Sequence, residues 1–132
     1  MTSSNQSKNE QFNQIKKNKK RIMNIENTKA QMRKGVLEFC ILSVLKDKEA
    51  YTSEILDTLK TAKLLVVEGT VYPLLTRLKN DGLLNYRWEE SLSGPPRKYY
   101  NLTEIGHTFL DELNGTWTEL SDAVNLITKQ KL

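Results

Sequence analysis

The apolar positions of this chain fall into blocks whose spacing passes from helical to alternating and back to helical. From Gln31 to Lys46, Met32, Val36, Leu37, Cys40, Ile41, Val44 and Leu45 recur at three- and four-residue steps, the period of one helix face. Phe39 and Leu42 widen that face, as in a helix covered on more than one side. Gly35 weakens its first turns by about 1 kcal/mol relative to Ala and admits a close neighbour. Thr52 or Ser53 supplies a hydroxyl cap for a second helix reaching about Ala62, with Ile55, Leu56 and Leu59 turned inward.

A third helical block, Val67 to Asp81, sets Val71, Leu74, Leu75 and Leu78 on one face. Thr70, Thr76, Arg77 and Asn80 stand on the other. Pro73 decides where this helix is expected to start. With Thr70 as the cap, the proline takes the third helical position, where no intrahelical N–H bond is lost. A start at Glu68 would put it inside the helix, bending it or costing about 3 kcal/mol. The expected start is therefore a distorted, cap-like turn at Gly69 and Thr70, with backbone N–H groups left free to meet a phosphate.

Asp81-Gly82 ends the block, Gly82 supplying a left-handed exit. The period then drops to two: Leu84, Tyr86 and Trp88 alternate with Asn85, Arg87 and Glu89. After a turn over Ser91 to Pro96 the chain returns as Arg97 to Leu102, which predicts a hairpin with Arg97 and Lys98 beside its tip. Thr103 opens the last helix. Its apolar positions Ile105, Phe109, Leu113, Trp117, Leu120, Val124 and Ile127 drift towards heptad spacing from Leu113 onward. A helix of about 25 residues is some 37 Å long, more than a domain this small can cover. Leu113, Trp117, Leu120, Val124 and Ile127 are thus expected to face a second copy of the chain.

Two short helices followed by a hairpin match a winged helix-turn-helix in outline. The third block is its recognition helix, with an apolar back and a polar front for a DNA groove. Arg97 and Lys98 in the wing give a second contact to phosphates. The expected fold is mainly α with a β-hairpin wing (α+β), a winged helix-turn-helix domain plus a long C-terminal dimerisation helix. Its parts are a flexible basic N-terminal extension over 1–26, the DNA-binding domain over 27–102 and the dimerisation helix over 103–132.

Charge sharpens this division. The net +4 of the 132 residues hides a basic N-terminus, with nine Lys/Arg against two Glu over residues 1–34, and a body that is acidic on balance. Any nucleic-acid face on the body is therefore a local patch. Residues 1 to about 24 hold too few apolar side chains to repay ordering on their own. Lys16, Lys17, Lys19, Lys20 and Arg21 crowd one short run, read either as an arm lying on DNA phosphates or as a solvated tail.

Other chemistries find little support. The only cysteine, Cys40, sits in the apolar run FCIL as a buried thiol, and the only histidine, His107, is far from it in sequence. No metal or catalytic constellation is formed, and the isolated glycines make no phosphate-cradling loop. No cofactor and no enzymatic activity are expected. The N-terminus lacks the apolar core of a signal peptide, and no stretch is long enough to span a membrane; a reducing, cytoplasmic setting is the expectation.

Several motifs now combine. Met32-Arg33-Lys34-Gly35-Val36-Leu37, Glu68-Gly69-Thr70-Val71-Tyr72-Pro73-Leu74-Leu75 with Arg77-Leu78, Asp81-Gly82-Leu83-Leu84, Gly94-Pro95-Pro96-Arg97-Lys98-Tyr99-Tyr100 and Leu102-Thr103-Glu104-Ile105-Gly106 stand in one order. Together they resemble the PadR family of bacterial winged helix-turn-helix transcriptional regulators, in its short-armed branch, from about residue 30 to 128. The resemblance implies a homodimer through the last helix that binds double-stranded operator DNA, usually as a repressor. It implies DNA contacts from Glu68, Thr70, Tyr72, Pro73, Thr76 and Arg77, with Arg97 and Lys98 in the wing. It also implies release by a planar aromatic or lipophilic small molecule, for which Trp117 matches the pocket tryptophan of multidrug-sensing relatives. Tyr51-Thr52-Ser53-Glu54-Ile55 departs from the family's Tyr-Gly-Tyr-Glu-Ile, Val67 replaces a polar cap, and the basic extension is longer than usual. Three binding readings remain: a ligand-responsive repressor, a regulator governed by its own level or a protein partner, and a winged helix used for protein or RNA contact.

Overall fold

The computed structural model describes residues 2–64 and 66–129. Its elements run α1 (Thr2–Val44), β1 (Ala50–Tyr51), α2 (Thr52–Thr61), α3 (Glu68–Asn80), β2 (Leu84–Ser91), β3 (Gly94–Leu102) and α4 (Glu104–Thr128). The chain divides into two compact units, 1–36 and 37–132.

In the first unit, where the sequence predicts a flexible basic extension over 1–26, the described residues form the N-terminal part of α1. A helix closes its backbone hydrogen bonds within the segment, so it needs no apolar core to satisfy them. Local pairs accompany it: Gln14 Nε2 donates to Asn18 Oδ1 at 3.2 Å, Lys16 lies 4.6 Å above the Phe12 ring, and Lys29 meets Glu26 at 3.5 Å. The described side chains of this unit are nearly all exposed. Met32, expected on the apolar face of the first helix, is 72% exposed.

The second unit owns the core. Leu37, Ile41, Leu42 and Leu45 from α1 and its exit pack with Ile55 and Leu59 of α2 and with Val71, Leu75 and Leu78 of α3. Ala50, Leu83, Leu84, Tyr100, Leu102 and Leu110 complete the cluster. A two-residue strand that the sequence pattern does not announce, β1, pairs antiparallel with β3 through Ala50–Tyr100 and Tyr51–Tyr99. The sheet order is β1-β3-β2. The strand β3 begins at Gly94, which pairs with Ser91 beyond an irregularity that follows the Glu89–Arg97 pair, so the hairpin turn is shorter than the expected Ser91–Pro96.

The helix ends show which local signals prevailed. Tyr51, rather than Thr52 or Ser53, is the N-cap of α2, because its N–H is taken by the Glu54 carboxylate at 3.2 Å while Thr52 is buried. The α2 helix ends with Lys63 in the left-handed region at φ 64°, and Leu64 N–H reaches back to the Leu59 carbonyl at 2.9 Å. Gly82 ends α3 in the same way at φ 82°, with Leu83 N–H on the Leu78 carbonyl at 3.0 Å. Only the second exit carries the glycine that marks such turns in sequence.

The start of α3 corrects the expectation from Pro73. Val67 is the N-cap, and the N–H groups of Thr70 and Val71 both bond to its carbonyl, at 3.0 and 3.3 Å. Thr70 is thus inside the first turn, and Pro73 lies within the helix. Its missing N–H removes the usual donor, four residues on, to the Gly69 carbonyl.

Candidate nucleic-acid interface

At about 100° per residue, the buried Val71, Leu75 and Leu78 define the inner side of α3. Gly69, Pro73, Thr76 and Asn80 then form the outward strip. Tyr72 and Lys79 flank it on the side of the hairpin, with Glu68 on the same edge by periodicity. Thr70 and Arg77 flank it on the other side, and there Arg77 Nη2 donates to Glu38 Oε2 of α1 at 3.3 Å. The sequence-predicted contacts therefore separate into two edges. Tyr72 and Thr76 stand beside the wing, while Thr70 and Arg77 stand away from it.

A groove of about 390 Å³ runs between α3, the start of α2 and the hairpin. Tyr72 and Thr76 line it from α3, Thr52 and Ser53 from α2, and Trp88, Arg97 and Lys98 from the hairpin. It brings the expected wing cations to the recognition helix. The Thr76 hydroxyl donates to the Tyr72 carbonyl at 3.2 Å, which leaves its oxygen lone pairs available to a donor.

The hairpin is two-faced because residues opposite one another in an antiparallel pair share a face. The pairs Trp88–Lys98 and Tyr86–Tyr100 occupy one face, and Arg87–Tyr99 and Glu89–Arg97 the other. On the first, Tyr86 meets Trp88 and Tyr100 edge-on at 6.2 and 6.0 Å. Lys98 Nζ lies 4.2 Å from the Tyr86 centroid and 5.1 Å from that of Trp88. Burial raises the Tyr100 phenol above its ordinary pKa, with smaller contributions from Tyr86 and Tyr72.

On the second face, Arg87 Nε donates to both Glu49 oxygens at 3.0 and 2.9 Å, and its Nη2 to Glu49 and to Glu89. The guanidinium also stacks 4.9 Å from the Tyr99 ring. Its hydrogen bonds hold the Glu49 carboxyl below the ordinary value, outweighing an opposing desolvation. Arg97 lies 4.5 Å over Tyr51, which packs edge-on against Tyr99 at 5.3 Å.

Cations at this surface thus fall into two groups. Arg77 and Arg87 are neutralised by carboxylates, whereas among the described residues Lys79, Arg97 and Lys98 have none within ion-pair distance. Lys79 and the aromatic supports Tyr51, Tyr86 and Trp88 were not singled out by sequence as parts of the site. A signal for Lys79 existed, since it follows Tyr72 and Thr76 at helical spacing on one edge.

Elsewhere, Lys16, Lys17, Lys19, Lys20 and Arg21 are exposed along α1. Leu113 of α4 packs against the core, and beyond it Trp117, Leu120, Val124 and Ile127 stand open, Ile127 to 64%. Trp117 is 45% exposed and its ring meets Phe39 of α1 at 6.3 Å. Cys40 is half-buried, and that burial raises its thiol pKa, which lowers its reactivity. Among the described residues, no three His, Cys, Asp or Glu side chains gather as for a metal, and no helix is long and apolar enough to cross a membrane.

A profile of the transcriptional regulator PadR-like family matches residues 41–112. A PadR-like transcription factor of Bacteroides fragilis is 60% identical, with 76% of this chain and 98% of that one covered at a TM-score of 0.65. A PadR family transcriptional regulator from Eggerthella lenta is 32% identical, covering 79% of this chain and 91% of the other at a TM-score of 0.71. Bacillus subtilis PadR, solved in complex with operator DNA, is 25% identical over 59% of this chain and 46% of its own, with a TM-score of 0.55.

Proposed function

Because the chain belongs to the PadR-like family of transcriptional regulators, we propose that it is a homodimeric repressor reading operator DNA with the outward strip of α3. Family membership makes it a DNA-binding transcriptional regulator and not an enzyme. The carrying observation is the groove between α3 and the hairpin, where Arg97 and Lys98 stand free of carboxylates beside Tyr72 and Thr76. Thr76, Pro73, Tyr72 and Glu68 face the bases or the adjoining backbone; Arg97 and Lys98 hold phosphates. Thr70 and Arg77 serve the opposite edge of the helix. The cluster Lys16, Lys17, Lys19, Lys20 and Arg21 adds sequence-independent attraction to the duplex.

The apolar stripe Leu113, Trp117, Leu120, Val124 and Ile127 meets its counterpart in a second copy. A palindromic operator matches the two-fold symmetry of such a dimer. A planar aromatic or lipophilic effector would act at Trp117, whose broad ring offers stacking area. The contact between Trp117 and Phe39 also favours a second reading, in which this ring is dimer packing and the regulator answers to its own concentration.

Fluorescence-anisotropy titration against DNA from the chain's own promoter, with unrelated duplex as competitor, tests the reading. Preferential binding at about 10⁻⁸ M or tighter is the expected result. Equal competition by unrelated duplex or by single-stranded nucleic acid would refute it at that promoter. Trp117→Ala separates the two modes of control: loss of planar-ligand binding with the dimer intact supports the effector, and loss of the dimer supports packing.

A further inference from the structure

The Tyr86 ring carries two ammonium groups that come from different elements. Lys98 Nζ of β3 lies 4.2 Å from its centroid, and Lys79 Nζ, from the last turn of α3, lies 5.5 Å from it. Neither lysine has a carboxylate within ion-pair distance among the described residues. Acidic side chains are at hand in the hairpin, yet Glu89 lies on its other face, where it joins Arg87 and Glu49. Glu90 follows Trp88 by two residues at the irregular end of β2, and it makes no ion pair with either lysine.

A ring face attracts a cation, and the tyrosine thus holds both side chains near positions they would otherwise leave. Two like charges gathered in this way repel one another, and a shared anion offsets that repulsion. We propose that Lys79 and Lys98, held over Tyr86, form one seat for a single phosphodiester of duplex DNA. This rests on the reading of α3 and the hairpin as the DNA-binding surface. It adds Lys79 as a contact residue and Tyr86 as the positioning residue for both cations. Because the seat draws on both elements, occupying it also ties the wing to the end of the recognition helix.

The test uses the full chain and the logarithmic dependence of duplex affinity on salt, which counts the phosphates neutralised. Lys79→Gln and Lys98→Gln are each expected to reduce the slope by up to about 0.9 on operator and unrelated duplex alike. Sharing one phosphate, the double variant should lose less than the sum of the singles. Tyr86→Phe, which keeps the ring, is expected to preserve the wild-type slope, and Tyr86→Leu to lower it in a chain that still unfolds cooperatively.

Lys129→Gln removes the same charge from the end of α4 and should leave the slope alone. A wild-type slope in Lys79→Gln, or an equal fall in Lys129→Gln, would overturn the seat while the DNA-binding reading stands. Failure of the wild-type chain to bind any duplex would overturn both. Repeating the titration in inorganic phosphate at matched ionic strength separates the sources of the anion. Binding of inorganic phosphate that Lys79→Gln abolishes, with no change in duplex affinity at matched ionic strength, would assign the seat to the free ion and overturn its assignment to the duplex backbone.

Discussion

Gly106 sits so close to the Leu83 carbonyl that a Cβ on it would stand 2.2 Å from that oxygen. The first turn of α4 is laid directly on the exit from α3. Thr103 N–H donates to the same Leu83 carbonyl at 3.1 Å. In an open helix, Gly→Ala stabilises by about 1 kcal/mol; here the sign is reversed. Gly106→Ala is expected to destabilise by about 1–3 kcal/mol, read from urea unfolding. Gly115, with nothing within 4 Å of its notional Cβ, serves as the control, and its change to Ala should raise stability by up to about 1 kcal/mol.

Thr103 joins the same junction through its side chain. Its hydroxyl donates to the Gly82 carbonyl at 2.6 Å and accepts from Gly106 N–H at 3.0 Å. Thr103→Ala is expected to lose about 1–2 kcal/mol, the range for removing an N-cap. Thr103→Ser should recover most of it, and thermal unfolding of the three proteins would show the order.

Lys63 is the opposite case, a left-handed residue with a side chain. Lys63→Gly relieves the backbone strain and is expected to stabilise by up to about 1 kcal/mol. A loss of stability in denaturant titration would mean that the lysine makes up for its conformation elsewhere.

The Glu49–Arg87 pair makes stability depend on acid. Arg87 holds the folded-state pKa of Glu49 below the ordinary 4.5. Its contribution is thus complete above the unfolded value and is lost as pH falls through the folded one. The wild type should melt higher than Glu49→Gln near neutrality, with the gap closing below about pH 4.5. A constant gap in melting temperature from pH 7 to pH 3 would contradict the linkage.

On α3, Thr76→Ala is expected to reorder affinities among different duplexes, while Arg77→Ala should lower them all by a similar factor. The difference follows from position, since Thr76 lines the groove and Arg77 is turned to Glu38. Competition titrations over a panel of duplexes would distinguish the outcomes.

Introducing a charge into the open stripe of α4 tests the assembly. Leu120→Asp is expected to shift the chain towards monomer in sedimentation-velocity runs at micromolar concentration, because a buried unpaired carboxylate costs several kcal/mol at such a contact. An unchanged sedimentation coefficient would mean that this stripe is not a dimer contact.

Local information alone sufficed for the helical blocks, the hairpin, the exit at Gly82 and the cap at Thr103. Each is written in the period of a few neighbouring residues or in one residue's allowed backbone angles. The exposure of Thr70, Thr76 and Arg77 on α3 was legible on the same ground, as was the place of Arg97 and Lys98 in the hairpin. Tertiary structure decided what depends on distant partners. Ala50 and Tyr51 become a strand only because Tyr99 and Tyr100 arrive beside them, and Arg77 finds a carboxylate because Glu38 of α1 lies beside it. Pro73 was read as favouring a start at Gly69 and Thr70 over one at Glu68, yet the core contacts of Val71, Leu75 and Leu78 accompany a helix that starts at Glu68. Local propensity weighs about one to three kcal/mol at such a position, and burying several large side chains weighs more. The meeting of Lys79 and Lys98 over Tyr86 joins three elements, and no period along the chain records it.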